Sequence, residues 1–265
     1  LRLITHVAPP PSAVPVVLPA DQHIANEAGF ASVLQTAFAA VERDDVICTI
    51  GIVPTRPETG YGYVELAAAP LPNCAIAINR FVEKPDHATA TAYLAGGKHL
   101  WNAGIFVVSA KRLLREVEQH IPTLAAGINQ IVAALPQGEA AVAAAIAAVY
   151  PGLPSISIDY GVMERTNRIA TVAADIGWDD IGSWASLPTM LGRDDNGNSS
   201  RGEAIVLNGN GNIVVTDQGV VALLGCNDLV VVRRGDAVLV MPKDQAQDVR
   251  RVVDALAARG LSRYQ

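Results

Sequence analysis

Apolar and polar positions change period several times along the chain, and each change marks an expected element. Over residues 27–43, Phe30, Val33, Leu34, Ala37, Phe38 and Val41 recur at three- and four-residue steps, which places one apolar stripe on an α-helix. Residues 46–53 form a continuous apolar run, as expected for a strand covered on both faces. Before them, 16–18 reads as the end of a short buried strand closed by Pro19-Ala20-Asp21. A polar, Gly- and Pro-rich loop is expected over 55–62, then a strand over 76–83 halted by Pro85. A helix over 87–95 should end at Gly96-Gly97, a strand follows at 104–108, and a helix over 111–120 stops before Pro122. The alanine-rich stretch 124–149 is helical, interrupted around Pro136-Gln137-Gly138. Strands alternating with helices predict an α/β domain with a largely parallel, mixed sheet of Rossmann-like type.

After Trp184 the texture changes. Asp194-Asp195-Asn196-Gly197-Asn198 is a turn-rich linker, and short apolar runs follow at 204–207, 213–215, 220–224, 229–232 and 237–241. Turn residues separate them, so the segment reads as an all-β appendage closed by a helix over 244–258, with Gly260 as its stop. No repeat register stands out, although a short β-helix has a similar texture. These shifts divide the chain into an α/β domain over 1–195 and a C-terminal β domain over 196–265.

Composition narrows the partners. Half of the residues are hydrophobic, enough for a full-sized core, and only 17% are charged, with a net charge of −6. No Lys/Arg-rich run occurs, so a nucleic-acid partner is not expected. Cys48, Cys74 and Cys226 are isolated, which argues against disulfides or a zinc site and for a reducing cytoplasm. Pro9-Pro10-Pro11 breaks any apolar N-terminal helix, and the longest apolar stretch, 140–150, falls short of the roughly 20 residues a bilayer requires. The apolar β segment would suit a homodimer interface.

Polar residues gather where strands are expected to end, the place where open α/β sheets bind ligands. Asp21, in Leu-Pro-Ala-Asp, is either a magnesium ligand or the N-cap of the next helix. Asp180 lies in Gly-Trp-Asp-Asp-Ile-Gly-Ser-Trp, either as a second metal ligand or as a turn acid. Glu83 and Lys84, in Phe-Val-Glu-Lys-Pro, suit paired sugar hydroxyls and a phosphate respectively; the alternative is an exposed ion pair. Gly62, in Gly-Tyr-Gly-Tyr, lets backbone approach a ligand, or else serves a turn. Asn102, in Trp-Asn-Ala-Gly, can donate to and accept from hydroxyls. Asp159, in Ser-Ile-Asp-Tyr, caps a helix or points into the cleft. The five histidines show no metal-ligand spacing.

The order of these segments carries more than any one of them. LPAD, GIVPTRPETGYGYVE, FVEKP, WNAGIFV, SIDYGVME and WDDIGSW together resemble the bacterial mannose-1-phosphate guanylyltransferases, or GDP-mannose pyrophosphorylases. The resemblance runs from about Val16 to the C-terminus, the β segment being similar to the family's short C-terminal domain. It implies Mg²⁺ on Asp21 and Asp180, mannose hydroxyls on Glu83 and Asn102, backbone of Gly62 on the sugar, and Lys84 on the phosphate. GTP and mannose 1-phosphate would be the substrates. Alternatives are another hexose-1-phosphate nucleotidyltransferase using UTP, ATP or dTTP, and a non-catalytic regulatory subunit. The family's N-terminal signature GGxGxRLxPL, followed by Pro-Lys, has no counterpart in residues 1–15, so the nucleotide-binding loop is expected to be missing from the chain. After LPAD the family commonly carries histidine, where this chain has Gln22 and then His23.

Overall fold

A computed structural model describes residues 13–68 and 74–264; the reading of residues 1–12 lies outside the described residues. The chain divides into two compact units, one of Leu1–Ala20 with Ile24–Trp178, the other of Asp21–His23 with Asp179–Gln265.

The first unit runs β1 (Val16–Val17), α1 (Glu27–Asp44), β2 (Ile47–Ile52), β3 (Gly62–Leu66), β4 (Ala75–Val82), α2 (His87–Gly96), β5 (His99–Val107), α3 (Ala110–His120), α4 (Pro122–Ala133), α5 (Glu139–Val149) and β6 (Ile169–Ala174). Helix α1 starts where Asn26 accepts the Gly29 N–H at 2.9 Å, so Asn26 and not Asp21 is its N-cap. Its stripe packs Ala37 and Val41 against Cys48, Ile50 and Ile52 on one face of β2. On the opposite face Ile47 meets a second core with Phe106, Val117 of α3 and Ala125 of α4. Every residue of β2 is buried, which explains its unbroken apolar run.

The sheet order is β1-β5-β2-β6-β4-β3, and β3 also pairs with β5. The expected mixed sheet is present with a different balance of directions. Among the described ladders of this unit only β2–β6 is parallel; β1–β5, β2–β5, β3–β4, β3–β5 and β4–β6 are antiparallel. Alternating strands and helices do not reveal this, because an antiparallel partner needs no helical crossover. Strand β3 was hidden in the sequence: four of its five residues are buried, so it shows no two-residue alternation after the glycine-rich loop. Residues 16–18 form a sheet edge instead of a buried strand end, with Val17 and Leu18 exposed.

In the second unit, β7 (Ser199–Leu207), β8 (Ile213–Leu224), β9 (Leu229–Arg234) and β10 (Ala237–Pro242) form one sheet. Strands β7, β8 and β9 lie parallel in sequence, as successive coils do, and β10 returns antiparallel. Two buried asparagines join the coils. Asn198 Oδ1 accepts from the Asn212 backbone N–H at 2.9 Å and from its Nδ2 at 3.0 Å. Asn212 Nδ2 also reaches the Cys226 carbonyl at 2.8 Å, and its Oδ1 accepts the Leu229 N–H at 3.1 Å. The repeat escaped the sequence pattern because its steps are unequal: 14 residues separate Asn198 from Asn212, and 17 separate Asn212 from Leu229.

The unit begins at Asp179, upstream of the 195/196 boundary drawn from the turn-rich linker. Trp184 and Leu187 pack with Ile213, Val230 and Met241, which draws the preceding segment into this core. The expected closing helix splits into a 3₁₀ turn, Lys243–Asp248, and an α-helix, Val249–Ala258, with Gly260 at φ 70 behind it. No helix of the described residues is long and apolar enough to cross a membrane.

Asn212 is fully buried, and its side chain bonds Asn198, the Cys226 carbonyl and the Leu229 N–H together. Asn212→Ala would leave a half-buried carbonyl and a half-buried N–H without their partner, so a loss of about 1–3 kcal/mol is expected in denaturant unfolding monitored on the C-terminal unit. A loss below about 0.5 kcal/mol would show that the asparagine pair does not hold the coils together.

Candidate active site

The strand register gathers three of the expected site residues. Asn102 of β5 lies opposite Gly62 of β3 and, on its other side, opposite Gly51 of β2. Tyr63 pairs with Val82, so Glu83, one step past the end of β4, falls beside Gly62. The fit is close: a Cβ on Gly62 would lie 2.5 Å from Glu83 Oε2 and 3.4 Å from Asn102 Cβ. Glycine is required at 62 for the carboxylate and the amide to share this place. A register shift between Thr49 and Gly51, across from Gly104 at φ 69, locally bends β5 around Asn102.

The Asn102 side chain is held at both ends. Thr49 Oγ1 donates to Asn102 Oδ1 at 2.5 Å, and Asn102 Nδ2 donates to Asp159 Oδ1 at 3.5 Å. Asp159 opens a single π-turn, Asp159–Met163, closed by the Glu164 N–H on the Asp159 carbonyl at 3.0 Å. Ser157 Oγ accepts the Tyr160 N–H at 3.4 Å at the start of this turn, so the capping reading of Asp159 is replaced by a carboxylate facing Asn102. At the other end of the turn, Glu164 Oε1 accepts the Glu83 N–H at 3.0 Å.

Lys84 Nζ lies 2.6 Å from Glu83 Oε1. The pair is not the freely exposed one expected of a strand end: the Glu83 side chain is 9% exposed and that of Lys84 57%. Burial pushes the Glu83 carboxyl up, against the downward pull of the Lys84 hydrogen bond, and the Asp159 charge raises it further. Burial likewise raises Asp159, against its hydrogen bonds and the nearby Lys84 charge. Lys84 is raised chiefly by its hydrogen bond to Glu83. Its backbone sits at φ 47, a left-handed conformation that an L-residue adopts at a cost of roughly 1–2 kcal/mol.

The Pro-Thr-Arg-Pro-Glu-Thr-Gly loop leads into β3 beside an aromatic cluster of the first core. Glu58 accepts from Arg56 Nε at 3.1 Å and from the Gly60 N–H at 3.0 Å, and its carbonyl receives the Tyr63 hydroxyl at 2.9 Å. The Arg56 guanidinium lies 5.2 Å from the Trp101 ring centroid, and Tyr61 packs edge-on against Trp101 and Trp178, each at 5.2 Å. Thr49, Glu164 and this stack were not singled out in the sequence. The hydroxyl within the apolar run of β2 and the last residue of SIDYGVME were the available signals.

Asp21 and Asp180 belong to the second compact unit. Asp21 is exposed. Asp180 is half-buried and its Oδ1 accepts the Gly182 N–H at 3.0 Å, while Asp179 Oδ1 accepts the Ile181 N–H at 2.8 Å. Asp179 and Asp180 thus shape the turn. Two hard carboxylates suit Mg²⁺, which needs only one or two from the protein; no group of three or more metal-binding side chains occurs among the described residues.

Comparison with known proteins gives the family. A family model described as nucleotidyl transferase matches residues 4–195, and one described as a MannoseP isomerase/GMP-like beta-helix domain matches 202–256. The chain is 39% identical over 93% of its length to the xanthan biosynthesis protein XanB of Xanthomonas campestris pv. campestris (strain B100), covering 52% of that protein. It is 36% identical over 92% of its length to a mannose-1-phosphate guanylyltransferase of Escherichia coli (strain K12), again covering 52% of the relative. It therefore spans about half the length of these curated relatives. A crystal structure of a mannose-1-phosphate geranyltransferase from Thermus thermophilus superposes with a TM-score of 0.79 at 37% identity, covering 91% of this chain and 69% of that one.

With both carboxyls raised by burial, Glu83 and Asp159 take up protons at higher pH than exposed carboxylates do. The folded state then binds more protons than the unfolded one in that window, so these groups reduce stability as pH rises through it. Asp159→Asn removes a like charge from Glu83, and the Glu83 titration, followed by carboxyl carbon NMR, should move to lower pH. An unchanged or higher midpoint would mean that the two charges do not interact.

Proposed function

The chain belongs to the nucleotidyl transferase family, and on that premise we propose that it transfers a guanylyl group from GTP to mannose 1-phosphate, giving GDP-mannose and pyrophosphate. The observation that carries this reading is the joining of Glu83, Lys84, Asn102 and Asp159 across Gly62. Two carboxylates and an amide offer acceptors and donors to sugar hydroxyls, and one ammonium beside them offers a point charge to the phosphate. The relatives named for mannose 1-phosphate support the choice of sugar.

In the reaction, an oxygen of the sugar phosphate forms a bond to the α-phosphorus of GTP. The bond from that phosphorus to the bridging oxygen breaks, and the electron pair leaves with pyrophosphate. Such transfer depends on alignment and charge neutralisation more than on a covalent nucleophile. Glu83 and Asn102 orient the hexose, Gly62 leaves room for it, and Lys84 balances the phosphate's charge. Asp21 and Asp180 would hold Mg²⁺, which when bound neutralises further phosphate charge. A cytoplasmic setting and a homodimer belong to the same proposal, the first supported by three unpaired cysteines, the second by Ile205, Leu207, Val220 and Leu224 exposed on the coils.

The deciding assay is pyrophosphate release by the full-length protein with each of GTP, UTP, ATP and dTTP, paired with mannose 1-phosphate or glucose 1-phosphate. Release is expected to be greatest with GTP and mannose 1-phosphate; none with that pair would overturn the assignment. Lys84→Ala should lower kcat by roughly a hundredfold or more, the scale of losing one preorganised charge at the transition state. A rise in KM alone would assign Lys84 to uniform binding instead.

A further inference from the structure

Beneath the site lies a residue with no contact to the cleft that decides what the cleft can offer. Thr49 is wholly buried in β2, on the strand face opposite Cys48 and Ile50, and its hydroxyl meets Asn102 Oδ1. We propose that Thr49 is a positioning residue: its hydroxyl anchors the Asn102 carboxamide in the sense that Asp159 selects, so that Asn102 meets the ligand as a hydrogen-bond donor.

The argument is one of donor and acceptor counting. A hydroxyl can donate or accept, so the Thr49 contact alone would tolerate the amide in either sense. The Asp159 carboxylate can only accept, so the amide atom facing it must be Nδ2. Oδ1 then faces Thr49, and the hydroxyl is obliged to donate. Because Thr49 and Asn102 are both buried, an inverted amide would set Oδ1 against the half-buried Asp159 carboxylate, two acceptors facing one another. The three side chains therefore form a directed chain, Thr49 to Asn102 to Asp159, ending on a charge.

The consequence concerns recognition. Glu83 and Asp159 accept hydrogen bonds from ligand hydroxyls, and Asn102 presents N–H to an oxygen lone pair. The site thus reads a polyol with a fixed alternation of donors and acceptors. Loss of the Thr49 hydroxyl would blur that reading without touching the nucleotide. This inference rests on the sugar-phosphate reading of the site only for its kinetic arm; the amide's sense is measurable without any substrate.

Two measurements on the full-length protein test it. In ¹⁵N-labelled wild type, the Asn102 Nδ2 protons should show nuclear Overhauser contacts to the Asp159 β-protons and none to the Thr49 methyl; the reverse pattern overturns the proposal. In kinetics, Thr49→Val should raise KM for mannose 1-phosphate by about tenfold or more, the scale of one lost buried hydrogen bond, with KM for GTP unchanged. Thr49→Ser, which keeps the hydroxyl, should stay within about twofold of wild type. A Val variant with an unaltered sugar-phosphate KM, or a Ser variant impaired tenfold, would overturn it. If the Val variant does not fold, the Overhauser pattern and the Ser variant decide. If wild type releases no pyrophosphate, the assigned reaction fails while the Overhauser pattern still settles the amide.

Discussion

The organisation of the first unit turns on one register. Asn102 stands between Gly51 on one neighbouring strand and Gly62 on the other, and both glycines are places where a methyl group would collide. At Gly51 the obstacles are Leu100 and Thr171; at Gly62 the obstacle is the Glu83 carboxylate, with Phe81 close by. A slip of one residue on either strand would turn the side chains of that strand to the other face. The amide would then lose Thr49, and the carboxylate of Glu83 would lose its place. The two hydrophobic cores fix this register from outside, since residues of β5 are shared between them, Trp101 and Ala103 in one, Leu100 and Phe106 in the other.

Within that frame the electrostatics of neighbouring groups are opposed. Burial pushes the Glu83 carboxyl up, yet Lys84 reaches it at 2.6 Å while staying more than half exposed. One end of the pair is therefore constrained by the protein and the other is accessible to an anion. Asp159 and Glu164, at the two ends of one π-turn, add charge and hold the Glu83 backbone. A turn that is itself a departure from regular helix thus supports both carboxyl groups, in keeping with the placement of such turns near ligands.

Much of this was legible in the sequence, and the exceptions share a cause. Helix α1 and strand β2 follow from period and burial alone; Glu83 and Asn102 were picked out among polar residues near expected strand exits, and Asp159 as a polar residue ahead of an expected helix. Long-range pairing was hidden. Nothing local distinguishes a strand that returns antiparallel from one that crosses over, so the ladder directions were misjudged. Strand β3 was lost because a strand buried on both faces has no alternation, and the asparagine coils because their steps differ in length. Asp21 was weighed as a cap that Asn26 in fact provides. Thr49 and Glu164 matter through partners 53 and 81 residues away, a separation no local motif expresses.

Lys84 carries its charge on a backbone that glycine or asparagine would adopt with less strain. Chain conformation and side-chain chemistry therefore pull this position in opposite directions over evolutionary time. A copy of this fold released from selection for turnover would drift toward the relaxed residues here sooner than in the cores, where any change opens a cavity. Position 84 is thus held by its side-chain chemistry and not by its backbone preference.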